Sequence, residues 1–436
     1  MTLDFTHDPS RRCTVASAHA PGCDFTLQNL PFGVFRRRGT QEPFRGGVAI
    51  GDQVICLAQA HALGCFEGLA AEAASAAGEP TLNRFLSLGP AAWRALRHAL
   101  FRLLDADVRD PRGAALLEAL VPLADIENTV PVTIGDFSDF YTSIHHAENG
   151  GKLRTPPAGL APNFQWMPVA YHGRSSSVGV SGQQVRRPWG QVRVPDAEAP
   201  QLLPCAQLDY ELEMGAVVGQ GNPQGDAVPL AKAMDHVFGL TLLNDWSARD
   251  VQLWEMTPLG PFLAKNFATT ISPWIVTLDA LAPFTTAWQR PPDHPQPLDY
   301  LESADNRAHG AFDVALEVWL EPQGRAASRL SRTNFRHQYW TLAQMVTHHT
   351  VGGCNLQVGD LIGTGTISGP TPPEAGSLIE LSKRGREPVA LVNSDEERGF
   401  LQDGDSVILR GWCEAAGRAR VGFGESKGTV LPARRT

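Results

Sequence analysis

The clearest pattern of apolar and polar positions lies at residues 208–214, whose sequence is LDYELEM. Apolar side chains alternate there with acids, in the order Leu208, Asp209, Tyr210, Glu211, Leu212, Glu213 and Met214. Because successive side chains of a strand point to opposite faces, the pattern predicts a β-strand with three carboxylates in one row. Adjacent acids repel one another unless water screens them or a cation lies among them. The row therefore either faces solvent or contributes to an oxygen-only site of the kind that holds Mg²⁺ or Ca²⁺.

Two other patterns precede this strand and predict a separate N-terminal domain. The runs 32–40 and 47–58 are rich in β-forming residues and are broken by Gly and Pro, which favours a small barrel. After Gly89, apolar residues recur at helical spacing through Leu104, and Pro90 suits the first turn of a helix. A second helical run covers 114–120. We place the boundary near residue 125, which gives a barrel-like N-terminal domain with a helical segment over 1–125 and a catalytic domain over 126–436.

The second domain is predicted to be mainly β. Residues 312–320 alternate apolar side chains with polar or small ones, as a half-buried strand does. Thr341 is suited to cap a short helix over 342–349, after which residues 359–370 resume as strand and turn. The expected fold class is therefore α+β, mainly β.

Composition narrows the class of protein. The 436 residues include 37 basic and 46 acidic side chains, and the net charge of −9 argues against nucleic acid or an anionic membrane as the main partner. The seven cysteines form no CxxC pair, which is typical of reduced thiols in a cytosolic protein. No stretch approaches the roughly 18 apolar residues of a membrane span. We therefore expect a soluble, cytoplasmic protein.

Several short segments combine acids, bases and aromatic residues. They are DFSDFYTSIHHAEN at 136–149, YHGRSSS at 171–177, NDWSARDVQ at 244–252, LGPFLAK at 259–265 and GTGTISG at 363–369. Each also has a structural explanation, since Asp245 could cap a helix and Lys265 could lie at the surface. The glycine-rich segment lacks the GK[ST] ending of a phosphate loop, and the chain has no HExxH or GxSxG motif. The residues alone leave a metal-dependent site and a structural role open.

Together, these motifs resemble those of the fumarylacetoacetase family, within the fumarylacetoacetate hydrolase superfamily. The resemblance runs nearly end to end, from LQNLPFGVF through GDFSDFYTS, YHGRSSS, LDYELEM, NDWSARD, LGPFLAK and GTISGP to GFGESKGTVLP. It implies a small SH3-like N-terminal barrel domain, a catalytic domain of β-sandwich or β-roll type, and a homodimer. It also implies a metal-dependent enzyme that hydrolyses a carbon–carbon bond of 4-fumarylacetoacetate, a small diketo diacid, in the last step of tyrosine and phenylalanine degradation.

The resemblance also implies roles for individual residues. The ligands of a divalent cation, Mg²⁺ or Ca²⁺, would be Asp139, Glu211, Glu213 and Asp245, and a second, structural Mg²⁺ would lie beside Lys265 and Thr269. His146 would be the catalytic base, and Glu380, in the strand after GTISGP, its carboxylate partner. The attacked carbonyl would be polarised by Arg249 and Lys265. The substrate contacts would be Tyr141, Arg154, Tyr171, Gln252 and Thr366.

The chain departs from the family pattern at a few positions. Met256 stands where a substrate-contacting Tyr is usual, Ala268 replaces a Gly, and the segment that carries Arg154 is slightly shortened. Asp209 shares the strand face of the implied ligands but is not one of them. We therefore expect Asp209 to have a supporting or solvent-facing role.

The chemistry of these residues agrees with hydrolysis of a β-diketone. Attack by water needs a base, and a histidine paired with a carboxylate suits that role near neutral pH. The departing enolate is a developing oxyanion, which a bound cation stabilises. Two alternatives stay open. One is an acylpyruvate hydrolase, or a diacid isomerase or decarboxylase, of the same superfamily; the other is a non-catalytic, metal-dependent dicarboxylate binder, which would need neither His146 nor Glu380.

Overall fold

The computed structural model describes residues 2–153 and 156–434. Its N-terminal domain contains the strands β1 (Phe32–Arg37), β2 (Arg45–Ile50), β3 (Gln53–Cys56), β4 (Leu120–Pro122) and β5 (Ile126–Thr129). They form one antiparallel sheet in the order β4-β3-β2-β1-β5. The β-structure predicted within 32–40 and 47–58 is therefore confirmed. Strand β5 lies just beyond the predicted boundary at residue 125, and that boundary stays a prediction.

The helices of this domain are α1 (Leu57–Ala62), α2 (Gly68–Ala77), α3 (Asn83–Ser87), α4 (Pro90–Leu104) and α5 (Pro111–Leu117). The helix predicted from Pro90 is confirmed as α4, and it buries its apolar stripe. The second predicted helix begins earlier than expected, at Pro111, because Asp110 caps it by accepting from the Arg112 amide. Trp93 of α4 packs edge-on against Phe238, with ring centroids 5.1 Å apart. Since Phe238 belongs to the larger domain, this contact joins the two domains.

The larger domain is built from short strands. They are β6 (Phe137–Phe140), β7 (Ala170–His172), β8 (Val178–Val180), β9 (Gln183–Arg186), β10 (Trp189–Val192), β11 (Gln201–Pro204), β12 (Leu208–Asp209), β13 (Leu212–Val218), β14 (Val237–Asp245), β15 (Ser247–Ala248), β16 (Thr269–Ile271), β17 (Val276–Thr277), β18 (Thr285–Thr286), β19 (Ala311–Phe312), β20 (Ala315–Glu321), β21 (Ser328–Asn334), β22 (Leu361–Gly363), β23 (Val389–Ala390), β24 (Glu397–Arg398), β25 (Ser406–Cys413) and β26 (Val421–Leu431).

Two sheets organise these strands. An eight-stranded sheet has the order β7-β6-β22-β13-β14-β16-β8, with β17 beside β14, and a five-stranded sheet has the order β21-β20-β25-β26-β9. Apolar side chains of both sheets share one core, which includes Leu242, Leu316, Leu409 and Phe423. The alternating pattern at 312–320 is confirmed as β19 and β20, and its apolar positions are buried. The expected α+β, mainly β fold is confirmed.

Helices connect the strands of the larger domain. They are α6 (Ile144–Lys152), α7 (Arg249–Glu255), α8 (Leu278–Leu281), α9 (Ala304–His309), α10 (Leu342–Thr350) and α11 (Leu378–Leu381). Short 3-10 helices lie at Phe5–His7, Ala16–His19, Leu123–Asp125, Ser175–Ser177, Leu230–His236, Ala282–Phe284, Asp299–Leu301, Phe335–His337 and Pro372–Glu374. Thr341 caps α10 as predicted, through a reciprocal capping box with Gln344. All seven cysteines are free thiols, and none of the helices in the described ranges is long and apolar enough to cross a membrane.

The strand predicted at 208–214 is interrupted in the structure. Residues Leu208 and Asp209 form β12, which pairs with β15, whereas β13 begins at Leu212 and pairs with β14 and β22. At the break, the Tyr210 amide donates to Asp209 Oδ1 at 2.8 Å instead of to a neighbouring strand. All seven residues are buried. The row of acids therefore faces the protein interior and not solvent.

Candidate active site

Three acids on neighbouring strands meet at one place in the eight-stranded sheet. Asp139 lies on β6, Glu213 on β13 and Asp245 at the end of β14, and one oxygen of each carboxylate lies within 4.8 Å of the others. We call these three residues the acid cluster. Gly363 on β22, between β6 and β13, permits this approach, because a Cβ there would lie 2.4 Å from Asp139 Oδ1. The absence of a side chain at Gly363 therefore leaves room for the carboxylates.

Within the described ranges, the acid cluster has more negative charge than the neighbouring cations offset. Burial and then the neighbouring Asp245 raise the pKa of Asp139 to about 8. Burial, and next the charges of Asp139 and Asp245, raise the pKa of Glu213 well above its ordinary value. The Gly365 amide donates to Asp139 Oδ1 at 3.2 Å and to Glu213 Oε2 at 3.0 Å, but Glu213 Oε1 is buried without a hydrogen-bond partner among the described residues. A hard divalent cation would supply both the missing charge and the missing partner, so the donor set fits such an ion.

Tyr171 and Thr269 contact the acid cluster directly. Tyr171 Oη lies 2.8 Å from Asp139 Oδ2 and 2.7 Å from Asp245 Oδ2. A phenol has one hydrogen and can donate to one carboxylate at a time, so both contacts are satisfied together only when one acid holds a proton. Thr269 pairs with Asp245 across β14 and β16, and its hydroxyl donates to Asp245 Oδ1 at 3.3 Å. Both residues were predicted to belong to the site, and the structure brings both to the acids.

Glu211, the fourth predicted ligand, is paired with two cations. Its Oε1 accepts from Arg249 Nη1 at 2.6 Å, and its Oε2 accepts from Lys265 Nζ at 2.5 Å. Burial acts to raise the pKa of Glu211, but Lys265 and Arg249 together outweigh burial and lower it. Lys265 Nζ also donates to Asp245 Oδ2 at 2.6 Å, which connects Glu211 to the acid cluster. Lys265 is buried, so the alternative of a surface lysine is wrong; Glu211 as a metal ligand stays a prediction.

His146 and Glu380 lie 234 positions apart in the chain but touch in the structure. His146 Nδ1 is 2.6 Å from Glu380 Oε2, and both side chains are buried. The contact requires a hydrogen between the two atoms, and because the pKa of Glu380 is lowered, we assign the proton to Nδ1 and the acceptor role to the carboxylate. Nε2 is then the ring nitrogen that faces away from Glu380. His145 instead lies beside His337, with ring centroids 6.2 Å apart. The structure therefore places the carboxylate of Glu380 against His146 and not against His145, and their catalytic roles stay predictions.

The predicted strand around Glu380 is wrong, because residues Leu378–Leu381 form the helical turn α11. The backbone amides of Leu378 and Ile379 donate to Asp209 at 2.8 Å and 3.1 Å. These bonds satisfy donors that the first turn of a helix leaves unpaired, and a distant acid thereby stabilises a turn that local sequence does not predict. Asp209 is fully buried, which excludes the solvent-facing alternative for it.

Three neighbours of Glu380 escaped the sequence-based prediction. Ser368 Oγ lies 3.0 Å from both oxygens of Glu380, Ser377 Oγ donates at 2.6 Å, and Asn149 Nδ2 donates at 3.0 Å. Burial acts to raise the pKa of Glu380, but the charge and hydrogen bond of His146, followed by the hydrogen bonds from Ser377 and Asn149, lower it. Asn149 follows His146 by three positions on α6, and this spacing was a usable signal because such side chains share a helix face. The two serines carried no comparable signal.

Of the predicted substrate contacts, Tyr141 and Gln252 lie beside catalytic candidates. The Tyr141 ring is edge-on to the His146 ring, with centroids 5.4 Å apart. Gln252 Oε1 accepts from Arg249 Nη1 at 3.2 Å.

Thr366 is buried, and its Oγ1 has no hydrogen-bond partner within the part of the chain that the structure describes. Met256, at the position of the usual family Tyr, is exposed. Arg154 lies outside the described residues, so its predicted contact with substrate stays a prediction.

The fold and this site define the class of protein when they are compared with known families. The family described as "Fumarylacetoacetase N-terminal" matches residues 28–131, and "Fumarylacetoacetate (FAA) hydrolase C-terminal" matches residues 137–430. Among solved structures, one titled as an HpcE protein from Mycobacterium smegmatis superposes with a TM-score of 0.51 at 18% identity, covering 92% of this chain and 99% of the other. That likeness supports the fold.

Full-length relatives narrow the class to one family. The fumarylacetoacetase of Oryza sativa subsp. japonica is 47% identical over 95% of this chain and 96% of its own length. Those of Bos taurus and Homo sapiens are 47% and 46% identical, each over 95% of this chain and 98% of their own length. The chain belongs to the fumarylacetoacetase family and is a hydrolase.

Proposed function

We propose that the chain hydrolyses 4-fumarylacetoacetate to fumarate and acetoacetate, in the last step of tyrosine and phenylalanine degradation. The observation that carries the proposal is the buried contact of 2.6 Å between His146 Nδ1 and Glu380 Oε2. Binding of a dicarboxylate alone would need no such base. The backbone bridge between Glu211 and Ser377 supports a single site, since it brings the strand of the acids next to the turn that carries Glu380.

In the proposed reaction, His146 Nε2 takes a proton from water while Nδ1–H stays bonded to Glu380. The hydroxide so formed attacks the carbonyl next to the carbon–carbon double bond and gives a tetrahedral oxyanion. The bond from that carbon to the neighbouring methylene then breaks, so the hydroxyl stays with fumarate and the electron pair leaves as the enolate of acetoacetate. His146 returns its proton to the enolate carbon, which balances the consumption of one water.

The cationic side chains are placed to lower the energy of these anions. Arg249 and Lys265 are buried and held by Glu211, so their positions are fixed before substrate arrives. We assign to them the polarisation of the attacked carbonyl. Mg²⁺ or Ca²⁺, held by Asp139, Glu213 and Asp245 together with Glu211, would supply electrostatic stabilisation of the enolate. Lys265 and Thr269 are also assigned to the surroundings of a second Mg²⁺.

We assign substrate binding to the side chains near these catalytic candidates. Thr366 supports the assignment, because its buried hydroxyl has no hydrogen-bond partner among the described residues and a bound substrate would supply one. Tyr141, Tyr171 and Gln252 would bind the diketone and its two carboxylates together with Arg154.

We further propose a cytoplasmic homodimer. The segment 253–263 supports the dimer. It exposes six large apolar side chains between the positions of Gln252 and Lys265: Leu253, Trp254, Met256, Leu259, Phe262 and Leu263. Exposed apolar surface of this kind is typical of protein contacts. A monomer in light scattering at micromolar concentration would contradict the dimer and leave the reaction untouched.

Incubation of the purified protein with 4-fumarylacetoacetate tests the function. We expect the diketone absorbance to decay and fumarate and acetoacetate to accumulate in equal amounts. Acylpyruvates, assayed in parallel, should be poor substrates. Preference for an acylpyruvate, or an isomerised product in place of cleavage, would favour the rival activity of the superfamily, and binding without turnover would favour the dicarboxylate binder.

A further inference from the structure

Asp209 is a buried carboxylate to which the proposed reaction gives no task. It is fully buried in the described structure, and both of its oxygens accept hydrogen bonds. Oδ1 accepts from the amides of Tyr210 and Leu378, each at 2.8 Å. Oδ2 accepts from Arg249 Nε at 2.8 Å and from the Ile379 amide at 3.1 Å. A buried acid with this many specific partners is costly to replace. These partners belong to two parts of the site.

One set of partners is the start of helix α11. Leu378 and Ile379 are its first two residues, and the residue before them, Ser377, makes no capping bond to the helix with its side chain. Asp209 therefore does from a distant strand what an N-cap side chain normally does locally. The next residue of the helix is Glu380, which holds His146. Asp209 thus holds in place the helical turn that positions Glu380 against His146.

The other partner is Arg249. Its Nε donates to Asp209, its Nη2 lies 2.8 Å from the same Asp209 oxygen, and its Nη1 donates to Glu211. The guanidinium is planar and rigid, so carboxylates on two of its edges fix its orientation. Without Asp209, the bond to Glu211 would be the one carboxylate contact left to Arg249 among the described residues, and the guanidinium could rotate about that bond.

We propose that Asp209 is a positioning residue that couples the two halves of the site. One half, His146 with Glu380, activates water; the other, Arg249 with Lys265, meets the developing oxyanion. Asp209 bonds to the helical turn that carries Glu380 and to Arg249 itself, so a shift of Asp209 would misalign both halves. This inference rests on the proposed function and names a residue that sets its geometry.

The first test replaces Asp209 by Asn, which has a similar size but lacks the charge and one acceptor oxygen. We expect kcat for 4-fumarylacetoacetate to fall by about 10- to 100-fold, the range typical of residues that orient a catalytic group, with little change in KM. The matched control is Asp405→Asn. Asp405 is equally buried and bonds to Arg398 and to the Gln402 amide, none of which belongs to the site, so its variant should keep the wild-type kcat.

Two double variants separate coupling from general damage. Asp209→Asn combined with Glu380→Gln, and with Arg249→Lys, should each lose less activity than the product of the single losses, because each pair acts through shared geometry. The same combinations with Asp405→Asn should multiply. Independent losses in both Asp209 pairs, or a single variant no worse than the Asp405 control, would overturn the proposal.

Two further measurements cover the remaining outcomes. If Asp209→Asn does not fold, Asp209→Glu takes its place, since a longer carboxylate cannot meet both Arg249 and the amides of α11. Wild-type kcat in this variant would overturn the proposal.

If the wild-type protein does not cleave the diketone, the proposed function fails by itself. The hydrogen-bonded Nδ1 proton of His146, observed by NMR in histidine-labelled protein, then decides the positioning role: its resonance should shift or broaden in the Asp209 variant, and an unchanged resonance would overturn that role.

Discussion

Glu213 and Glu380 are both buried glutamates, yet the protein treats their charges in opposite ways. Glu380 accepts hydrogen bonds from His146, Asn149, Ser368 and Ser377, and its pKa is lowered in spite of burial. Glu213 lies beside Asp139 and Asp245, leaves Oε1 unpaired among the described residues, and has a pKa that burial and those acids raise. Burial is common to both, so the neighbours decide the outcome.

The difference shows which part of the site the chain completes by itself. The surroundings of Glu380 supply enough donors to hold a carboxylate, so this half is preorganised by protein groups alone. Among the described residues, Lys265 is the main compensating charge of the acid cluster, and Glu213 Oε1 lacks a hydrogen-bond donor. A divalent cation would supply the charge and the partner that a fully ionised cluster needs. Removal of metal should therefore disable one half of the site and leave the other intact.

The largest effect is expected from Glu213→Ala, which removes the acid with the unsatisfied oxygen. Both metal content, measured by elemental analysis, and turnover should be lost. Exhaustive chelation of the wild type should do the same, and Mg²⁺ or Ca²⁺ should restore activity. The control is Glu317→Ala, another buried glutamate, whose partners are Arg329 and Trp319 and which should keep its metal and activity. Full turnover by protein shown to be free of metal would contradict the cation site.

His146→Asn is expected to lower kcat by about 10²- to 10⁴-fold, the usual contribution of one general base. Metal content should stay normal, because the acid cluster does not depend on the imidazole. His145→Asn is the matched control and should be close to neutral, since its ring packs near His337 and not against Glu380. Equal losses in the two variants would mean that the base lies elsewhere or that the helix has been damaged.

Glu380→Gln sharpens the comparison from the other half of the site. The amide keeps the size of the side chain but loses the charge that stabilises an imidazolium, so we expect kcat to fall by about 10- to 100-fold with metal content unchanged. Because His146 and Glu380 are proposed to act as a unit, the double variant with His146→Asn should be little worse than His146→Asn alone. Losses that simply multiply would refute the pair as a unit, while the cation site would stand.

The smallest expected effect is a pH dependence of stability in the metal-free protein. The pKa of Asp139 rises from 3.8 to about 8 on folding, so the folded state keeps a proton that the unfolded state releases. Folded-state stability should therefore fall as pH rises between these two values, and added Ca²⁺ or Mg²⁺ should reverse the loss. The lowered pKa of Glu380 acts in the opposite direction, because its stabilisation is lost as pH falls below the ordinary value of 4.5.

Thermal unfolding of chelated protein over this range measures the effect. Asp139→Asn, which cannot ionise, should flatten the decline on the alkaline side, and Glu380→Gln should leave that side unchanged. A midpoint that is independent of pH between about 5 and 8 in metal-free wild type would show that the acids are compensated without a cation.

Local sequence was sufficient where structure depends on near neighbours. The stripe from Trp93 to Leu104 predicted α4, and the cap at Thr341 predicted α10, because helix contacts repeat every three or four residues. It was insufficient at 208–214 and at Glu380. Within 208–214, Leu208 and Asp209 pair with β15 whereas the residues from Leu212 onward pair with β14 and β22, and the helical turn at 378–381 is capped by an acid 169 positions away. No local pattern encodes such a partner.

The sequence by itself determined that runs of acids, bases and aromatic residues are present, and its resemblance to the family predicted the chemical types in the site: oxygen ligands without thiols, one histidine beside a family motif, and two cations near the acids. The tertiary structure decided which of these groups are compensated. The pKa of a buried carboxylate depends on donors and charges within a few ångströms, and for Glu380 one of these comes from α6 and another from the segment after β22. Only the fold places such groups together: it surrounds Glu380 with hydrogen-bond donors and sets Glu213 beside two other acids.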